Sequence, residues 1–487
     1  MNQHCIVFCN KICILLPLFS SMKKRMAGLL CLLLIITTAD AQRQPPNIIY
    51  ILADDLGYSE LGSYGNTFNE TPALDRLAKE GMRFSCFYAA APVCSPYRAA
   101  LMTGQYPARI GITDYLRPRA AQHLDTGYVT IAELLKTRGY HTGIVGKWHL
   151  SGYVKEGATE ETLPDQHGFD EVLVSENRGI GEGTYFHPYD FNREMKKRLP
   201  GAHEYITDRQ NQEALEFIKR NRQRPFFLFL SHYAVHTTVH GKPELVRHFQ
   251  QKKDAGTSPP TSKNPDNDPY KKWPSGSKAT HHNPHLAAQL KVIDEGVGTI
   301  INLLKELGLD QNTVLIFTSD NGGETTITSN APLRGGKSTL YEGGVREPFI
   351  AWWPGTIKAN VTCNRPLANY DIYPTLMELT GAAGNHQPLD GISFASLLRN
   401  PEARLPQRNF YWHYPLDRPH FLGGRSAGSV RSGAWKLISF FDDGHKELYN
   451  LDQDPGEQTD LSKTDPGKVA ALDTALRIWQ KDVNARY

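Results

Sequence analysis

The sequence has little net charge, little cysteine and no apolar run long enough to cross a membrane. Its 487 residues carry 54 basic and 51 acidic side chains, a formal net charge of +3, whereas nucleic-acid-binding domains usually have a strong basic excess. Seven cysteines are too few for a disulfide scaffold of this size. A hydrophobic content of 40% excludes a mostly disordered chain. What remains is a large globular protein with one large and one smaller domain, or with two to three domains.

Residues 1–41 have the pattern of a secretory signal peptide. A basic cluster at 23–25 precedes an apolar run over 27–36 and a small-x-small cleavage site before Gln42. The alternative is a membrane anchor, but an apolar run of about ten residues is too short for a bilayer core that takes about 20. A second apolar run before Met22 leaves the start of the chain open between Met1 and Met22. The sequence therefore predicts an exported protein, periplasmic or secreted, without a membrane span.

Removal of the signal peptide changes both the net charge and the number of cysteines. It takes away four basic residues and one acidic residue, which leaves 50 of each sign. Three cysteines remain, Cys86, Cys94 and Cys363. Export favours disulfide formation, but at most two of the three can pair with each other, so at least one cysteine has another role. A neutral mature chain must also attract any charged ligand locally rather than by its overall charge.

Four continuous apolar runs predict buried strands, at 47–52, 141–145, 226–230 and 313–317. Helical patterns alternate with them, at 71–81, 130–139, 205–221 and 286–307. This alternation predicts an α/β fold with a large, mostly parallel central sheet flanked by helices. Ligands of such sheets bind beyond the carboxyl ends of the strands, so the polar residues that follow the runs predict one shared site. Those residues are Asp54 and Asp55, Lys147 and His149, His232 and His236, and Asp320 and Asn321.

The pattern changes near residue 400. We assign residues 42–395 to a catalytic domain and 396–487 to a small C-terminal subdomain with an antiparallel sheet and a helix. The strand candidates of the subdomain are 429–431, 435–440 and 447–450, and a helix follows near 467–482. Residues 241–285 are rich in Lys, Pro, Ser and Asn without periodicity, which predicts a long surface insertion.

Two pairs of polar residues indicate a cation. Asp54-Asp55 and Asp320-Asn321 offer several oxygen ligands, which suit Ca²⁺ or Mg²⁺ better than Zn²⁺. The alternative is that adjacent acids in glycine-rich loops act as turn and cap residues. Two pairs after two buried strands favour the metal.

Cys94 has the setting of a reactive cysteine. Pro96 fits the first turn of a helix, which puts Cys94 at the helix N-terminus. The partial positive charge there and Arg98, one turn on, would lower the pKa of a thiol and stabilise an anion. The alternative is a buried structural cysteine or one half of a disulfide.

Seven motifs in order resemble those of the type I, formylglycine-dependent sulfatases of the alkaline-phosphatase-like superfamily. The resemblance runs from about residue 46 to 462. Two departures are Ser59-Glu60 in place of the usual Gly-Asp, and the lack of the common proline near His236. The motifs are ILADDLG at 51–57, CSPYR at 94–98 with LMTG at 101–104, GKWH at 146–149, TSDNGG at 318–323, LRGGK at 333–337 with EGGVR at 342–346, ELYNL at 447–451 and DPGE at 454–457.

The resemblance implies a sulfuric ester hydrolase whose Cys94 is oxidised to formylglycine (3-oxoalanine). The maturing partner would be a formylglycine-generating enzyme or an anaerobic sulfatase-maturating enzyme. In the family, one hydroxyl of the aldehyde hydrate attacks sulfur and displaces the alcohol. The other hydroxyl then loses its proton, and the aldehyde reforms as sulfate leaves. This modification would explain the odd cysteine.

The family's roles carry over to matching positions in this sequence. Ca²⁺, or Mg²⁺, would polarise the sulfate oxygens. Arg98 and His149 would hold or deprotonate the formylglycine hydrate, Lys147 and Lys337 would bind sulfate oxygens, and His236 would be the general acid for the leaving oxygen. The metal ligands would be Asp54, Asp55, residue 94 (Cys94 in the unmodified chain), Asp320 and Asn321.

The leaving group is the least determined part of the prediction. A sulfated carbohydrate, such as a glycosaminoglycan, mucin or other polysaccharide fragment, is favoured over a steroid or lipid. The alternatives are a phosphatase or phosphodiesterase of the same superfamily and an inactive sulfated-glycan binder.

We predict that His232, His240, His281 and His282 lie on the surface. Candidate sugar-binding loops are 176–195, with Asn177, Arg178, His187 and Tyr189, and 411–425, with Trp412, His413, Tyr414 and Arg425; ordinary packing is the alternative for these residues.

Overall fold

A computed structural model of the chain describes residues 45–117, 122–151, 162–176, 184–189, 196–201, 203–256, 282–383 and 387–487. Residues 46–487 form one compact unit. The predicted signal peptide lies outside the described residues, so export stays a prediction. Among the described residues, none of the helices is both long enough and apolar enough to span a bilayer.

A nine-stranded mixed sheet forms the centre of the fold. Its strands run in the order β4-β3-β5-β1-β6-β7-β2-β8, with β9 beside β2. Only β7 pairs antiparallel, with β6 on one side and β2 on the other, so the predicted mostly parallel sheet is confirmed. The strands are β1 (Asn47–Ala53), β2 (Met82–Tyr88), β3 (His141–Lys147), β4 (Glu171–Glu176), β5 (Phe226–Ser231), β6 (Thr313–Ser319), β7 (Arg346–Trp352), β8 (Val361–Cys363) and β9 (Leu367–Ala368).

The central strand β1 shows why both faces of this sheet are covered. It pairs in parallel with β5 and β6, so that Ile51 lies between Leu230 and Phe317. Every residue of β1 is buried. Ile49 and Ile51 belong to one hydrophobic cluster, whereas Tyr50 and its neighbours in the pleat belong to the cluster on the opposite face. A continuous apolar run is the sequence signature of such a strand.

The helices lie on the two faces of the sheet. The cluster on the first face includes residues of α1, α5 and α7, and the cluster on the second face includes residues of α2, α4 and α9. Thr130 forms the predicted capping box with Glu133 at the start of α4. The helices are α1 (Pro72–Glu80), α2 (Cys94–Thr103), α3 (Pro107–Ile110), α4 (Ile131–Lys136), α5 (Ile206–Asn221), α6 (Pro243–Ala255), α7 (Pro284–Glu306), α8 (Glu342–Val345), α9 (Ile372–Thr380), α10 (Ala395–Arg399) and α11 (Pro466–Asp482).

A separate antiparallel sheet follows, as predicted for the C-terminal part. Its strands are β10 (Asn409–Tyr414), β11 (Ala427–Ser432), β12 (Trp435–Phe440) and β13 (Lys446–Asn450), in that order, and α11 comes after them. Lys436 of β12 reaches into the first part of the chain and pairs with Glu342 at 2.9 Å. The exact boundary between 42–395 and 396–487 stays a prediction.

The predicted long surface loop at 241–285 is wrong in its described part. Helix α6 occupies Pro243–Ala255, and α7 already begins at Pro284. Val246 and Phe249 lie three residues apart and pack in a small cluster with Phe68. Two buried residues among many polar ones are too weak a period to be recognised in the sequence. Residues 257–281 lie outside the described part of the chain.

Candidate active site

Three parallel strands deliver their polar residues to one edge of the sheet. Strand β1 ends just before Asp54, β3 ends at Lys147, and β6 ends just before Asp320. All three side chains are fully buried. Their convergence confirms that the polar residues after these three apolar runs share one site, whereas the side chain of His232, after the fourth, makes no hydrogen bond to them.

Three buried ion pairs link these residues. Lys147 Nζ lies 2.6 Å from Asp54 Oδ2, and Lys337 Nζ lies 2.7 Å from Asp55 Oδ2. Arg98 Nη2 lies 2.8 Å from Asp320 Oδ2. Because three carboxylates face three cations, the charges of the site cancel, and each charged group has a partner that compensates its burial.

The ion pairs set the protonation states of the site. Burial alone would raise the pKa of Asp55, but Lys337 and His236 outweigh it and hold that pKa below its usual range. Burial and the charge of Asp54 raise the pKa of Asp320 to about 6, against the opposing effect of Arg98. Burial disfavours the charged form of Lys147, yet the carboxylate of Asp54 more than offsets this and raises its pKa. The lysines are therefore ammonium ions at neutral pH.

Cys94 begins helix α2, as predicted, but its thiol is not activated. The side chain is 2% exposed, and Sγ lies 3.7 Å from Asp54 Oδ1. Burial raises the pKa of Cys94 to about 12, although Lys147 and Lys337 act in the opposite direction. The expectation of a lowered thiol pKa is thus wrong, because desolvation outweighs the helix terminus and the nearby cations.

Arg98 fixes the cysteine helix to the strand ends. One terminal nitrogen, Nη1, donates to the Lys147 carbonyl at 2.8 Å and to Ser231 Oγ at 2.7 Å, while Nη2 binds Asp320. Ser231 was missed as a site residue. Its position as the last residue of the β5 run is the only signal for it in the sequence.

The two predicted catalytic histidines have different surroundings. His149 Nε2 donates to the Leu116 carbonyl at 3.0 Å, and burial followed by the charge of Lys147 holds its pKa well below the usual range. His236 Nε2 lies 3.1 Å from Lys337 Nζ. Burial and Lys337 lower the pKa of His236 to about 4, so its Nε2 is a hydrogen-bond acceptor before any anion binds.

The donor atoms at the strand ends fit a divalent cation. Potential ligand atoms of Asp54, Asp55, Cys94 and His236 all lie within 4.8 Å of one another. Asn321 donates through Nδ2 to Asp55 Oδ1 at 2.8 Å, but its buried Oδ1 accepts no hydrogen bond. A buried acceptor without a donor is rare, and a cation beside the carboxylates would satisfy it. The predominance of oxygen donors suits Ca²⁺ or Mg²⁺.

Asp320, by contrast, already uses both carboxylate oxygens. Its Oδ1 accepts from the Asp55 backbone at 3.1 Å, and its Oδ2 accepts from Arg98. The structure therefore brings every predicted metal ligand into one cluster, and Asp320 and Asn321 join it through contacts with Asp55. Their roles as ligands stay predictions.

Four residues of the predicted sugar-binding loops are packed in the interior instead, as the alternative of ordinary packing allows. Trp412, His413 and Tyr414 are buried in β10, where Trp412 Nε1 donates to the Ala89 carbonyl at 2.8 Å. Tyr189 is buried against Glu204. Trp412 and Tyr414 fill the space between the two sheets, whereas Tyr189 packs in the cluster on the first face of the large sheet. Of the remaining candidates, His187 is half-buried, Arg425 pairs with Asp442 and Asp443, and Asn177 and Arg178 lie outside the described residues.

Of the four histidines that were predicted to lie on the surface, two are buried instead. His232 and His240 are buried, at 0% and 5% exposure. His232 directly follows the buried strand β5, and His240 packs on Phe186. His282 is half-buried and stacks on Phe68, and His281 lies outside the described residues.

The other two cysteines do not form a disulfide. Cys86 and Cys363 lie on the paired strands β2 and β8, and both are free and buried. Cys86 Sγ instead lies 2.9 Å from Arg431 Nη1.

Comparison with known proteins identifies the family. The family model named Sulfatase matches residues 46–382, well over half of the chain. The chain belongs to the sulfatase family. A second family model, the C-terminal region of N-sulphoglucosamine sulphohydrolase, matches residues 336–480.

Individual relatives of this sulfatase support the family assignment. The chain is 34% identical to human (Homo sapiens) arylsulfatase A over 92% of its own length and 90% of the relative's. It is 35% identical to N-acetylgalactosamine-6-sulfatase of Rattus norvegicus over 90% and 85% of the two lengths. A crystal structure of Ps i-CgsB in complex with k-i-k-neocarrahexaose superimposes with a TM-score of 0.73 at 30% identity, covering 90% of this chain and 93% of that chain. This sulfatase is thus a sulfuric ester hydrolase of the alkaline-phosphatase-like superfamily.

Proposed function

We propose that this sulfatase is exported and hydrolyses sulfate esters of carbohydrates, using formylglycine derived from Cys94 and a bound Ca²⁺ ion. The observation that carries the proposal is the placement of Cys94 beside Asp54, in a buried cluster of three carboxylates and three cations. Such a cluster can hold an anionic ester against a nucleophile while it excludes water.

The protonation state of the unmodified Cys94 thiol supports the proposal that residue 94 is converted to formylglycine. An unmodified Cys94 has a pKa of about 12, raised by burial, and so is a poor nucleophile at neutral pH. A formylglycine hydrate at this position supplies a hydroxyl nucleophile instead. Since residue 94 is buried in the folded chain, a maturing enzyme must act before or during folding.

The cation would be held by oxygen atoms of Asp54, Asp55, Asp320 and Asn321, together with residue 94. When bound, a Ca²⁺ ion would withdraw charge from the sulfate oxygens. Mg²⁺ has the same preference for oxygen ligands but demands a stricter octahedral geometry.

The chain's own residues then have distinct tasks. Lys147 and Lys337 are buried ammonium groups that offset the charge growing on sulfate oxygens. Arg98 holds the helix that carries residue 94 against the strand ends. An anion beside His236 favours its charged form, which raises its pKa from about 4 towards the range in which Nε2 donates a proton to the leaving oxygen.

A sugar as the leaving group is supported by the relatives. One is named an N-acetylgalactosamine-6-sulfatase, and one solved neighbour is a complex with a neocarrahexaose. Glycosaminoglycan, mucin and algal polysaccharide fragments all carry sulfated sugars of this kind. Export, which rests on the pattern in residues 1–41, would bring the enzyme to such extracellular polymers.

The test is sulfate release by protein co-expressed with a maturing enzyme. The panel contains N-acetylgalactosamine 6-sulfate, glucosamine N,6-disulfate, a neocarrahexaose and 4-nitrophenyl sulfate, with 4-nitrophenyl phosphate as the competing ester. We expect sulfate release from at least one sugar and none in the Cys94→Ala variant. Faster hydrolysis of the phosphate than of every sulfate would contradict the proposal and favour the phosphatase alternative.

A further inference from the structure

Two chain segments outside the predicted motifs are anchored directly to the catalytic residues. The first segment is 114–117. Its Leu116 accepts from His149 through the carbonyl at 3.0 Å and donates through the backbone nitrogen to Ser95 Oγ at 3.0 Å. Because Ser95 follows Cys94, this segment is fixed between the nucleophile position and a catalytic histidine.

The second segment, 420–424, rests on the neighbour of Lys337. It is a tight turn in which the His420 nitrogen donates to the Gly424 carbonyl at 2.7 Å. A side chain on Gly424 would come within 1.9 Å of the Ser338 carbonyl oxygen, so only glycine allows this approach. The turn is thus held beside Lys337.

The side chains of the two segments meet. The ring of Tyr115 lies 5.8 Å from His420, edge to face, and His420 stacks on Phe421 at 4.4 Å. The guanidinium of Arg117 lies 4.3 Å from the centre of the Tyr115 ring. Phe421 is 81% exposed, the highest value among the large hydrophobic side chains of the described residues. An aromatic and polar rim therefore lies beside the buried sulfate-binding cations.

The charges of this rim are balanced. Arg117 pairs with Asp114 at 2.7 Å, and burial, against the charge of Asp114, holds the pKa of His420 below its usual range, so the imidazole is neutral at pH 7. A guanidinium beside a carboxylate offers donors and acceptors to hydroxyl groups, whereas a second sulfate would meet the carboxylate of Asp114. The rim is suited to a ring that is apolar on its face and polar, but uncharged, at its edge.

We propose that Tyr115, Arg117 and Phe421 form the leaving-group subsite of this sulfatase, and that it takes an uncharged pyranose ring. The ring face lies on the exposed aromatic side chain, and its hydroxyls reach the Arg117–Asp114 pair. This inference rests on the proposed function and adds to it the identity of the residues that select the sugar. Since these side chains bind the sugar rather than the reacting sulfur, they act mainly through KM.

The experiment compares two substrates in two variants, Phe421→Ala and Arg117→Ala. The substrates are 4-nitrophenyl sulfate and whichever sulfated sugar of the panel the wild-type enzyme hydrolyses fastest. We expect each variant to lose about tenfold in kcat/KM on the sugar, mostly through KM, because the lost contact binds the substrate and the transition state alike. For Arg117→Ala the loss on 4-nitrophenyl sulfate should be less than about threefold, since that ester has no hydroxyls for Arg117 to bind.

Matched controls separate this effect from a loss of folding. Arg399 is as exposed as Arg117 and also pairs with a carboxylate, that of Glu378, and Ile478 is an exposed apolar side chain on α11. Arg399→Ala and Ile478→Ala should leave both activities at the wild-type level. Melting temperatures of all four variants check the fold.

Each of the following outcomes would refute one part of the proposal. Equal losses of Arg117→Ala on both substrates would show that the Arg117–Asp114 pair is structural and would refute the subsite. A wild-type preference for glucosamine N,6-disulfate over N-acetylgalactosamine 6-sulfate would refute the uncharged ring. Activity on the aryl sulfate alone would refute the sugar subsite while the sulfatase activity stands, and release from no sulfate ester at all would refute the proposed function itself.

Discussion

Lys147 Nζ lies 2.6 Å from Asp54 Oδ2, and neither side chain has any exposed surface. A buried carboxylate that loses its only ammonium partner is left as an uncompensated charge, which costs about 3–5 kcal/mol. Asp54 also contacts Cys94. The pair thus links the stability of the fold directly to the catalytic centre.

We predict that Lys147→Met lowers the free energy of unfolding by about 3–5 kcal/mol and abolishes sulfate release. Ca²⁺ should restore part of the lost stability, because a cation bound by Asp54 replaces the missing positive charge and binds the folded state only. Urea denaturation with EDTA and with excess Ca²⁺ measures both effects.

The control for this variant is a lysine in an exposed pair. Lys136 lies 2.7 Å from Asp170 and is 45% exposed, so Lys136→Met should change the unfolding free energy by less than about 1 kcal/mol. If Lys147→Met were as unstable in Ca²⁺ as in EDTA, the cation would not bind at Asp54.

A second prediction concerns the chemical state of residue 94. In active protein the peptide that contains Cys94 should be about 18 Da lighter than the unmodified peptide, because conversion of the thiol to the aldehyde replaces sulfur by oxygen and removes two hydrogens. Cys94→Ala should abolish turnover with little change in melting temperature. Peptide mass spectrometry and thermal unfolding are the measurements.

Cys363 is the control for the prediction on Cys94. It is also buried and free, but it lies on the short strand β8, away from the ion-pair cluster. Cys363→Ala should keep both the mass change at residue 94 and the activity. Active native protein that contained only unmodified thiol at residue 94 would refute the formylglycine mechanism.

The catalytic cluster was largely predictable because each of its residues follows a recognisable strand or helix start. Asp54, Lys147 and Asp320 come directly after or at the end of continuous apolar runs, and parallel strands necessarily bring such ends together. Motif resemblance added Lys337, which no apolar run marks. The thiol pKa of Cys94 was not predictable, since it depends on desolvation by distant parts of the chain.

The surroundings of the cluster were harder to predict. Trp412 and Tyr414 look like ligand-binding aromatics in the sequence, but they are buried because the antiparallel sheet packs on the large one. Helix α6 was missed because its buried residues are few. Phe421 has no local signal that separates it from Trp412, since only the turn at 420–424 leaves it exposed.

A third prediction uses Glu60, one of the departures from the family pattern. Its buried carboxylate accepts hydrogen bonds from Thr328 and from Asn69, yet burial raises its pKa to about 7. The folded chain therefore keeps a proton that the unfolded chain loses above about pH 4.5, so stability falls as the pH rises from about 4.5 to 7. We expect Glu60→Gln to gain about 2 kcal/mol at pH 8 and almost nothing at pH 5.

Chemical denaturation at pH 5 and pH 8 measures whether the stabilisation by Glu60→Gln increases with pH. Glu402 is exposed, and Glu402→Gln should change the unfolding free energy by a similar small amount at both pH values. A stabilisation of Glu60→Gln that was equal at both pH values would mean that titration of Glu60 does not affect stability.

The last prediction concerns the contact between the two sheets. Lys436 of β12 is fully buried and pairs with Glu342 at 2.9 Å and with Glu457 at 3.0 Å. Glu457 in turn accepts from the Glu342 backbone at 2.6 Å. Because Glu342 begins α8, five residues after Lys337, this triad also holds the end of the loop that carries Lys337.

Lys436→Met should lower the unfolding free energy by about 3–5 kcal/mol, because two buried carboxylates lose their shared ammonium group. The double variant Lys436→Met/Glu342→Gln should lose less, since it removes one of the two carboxylates that share this ammonium group. Lys446→Met, in the next strand at a half-buried position, should change stability by less than about 1 kcal/mol. If the triad positions Lys337, the single variant will also lose activity at temperatures at which it remains folded, through kcat rather than KM alone. A destabilised Lys436→Met with wild-type kcat would restrict the triad to a structural role.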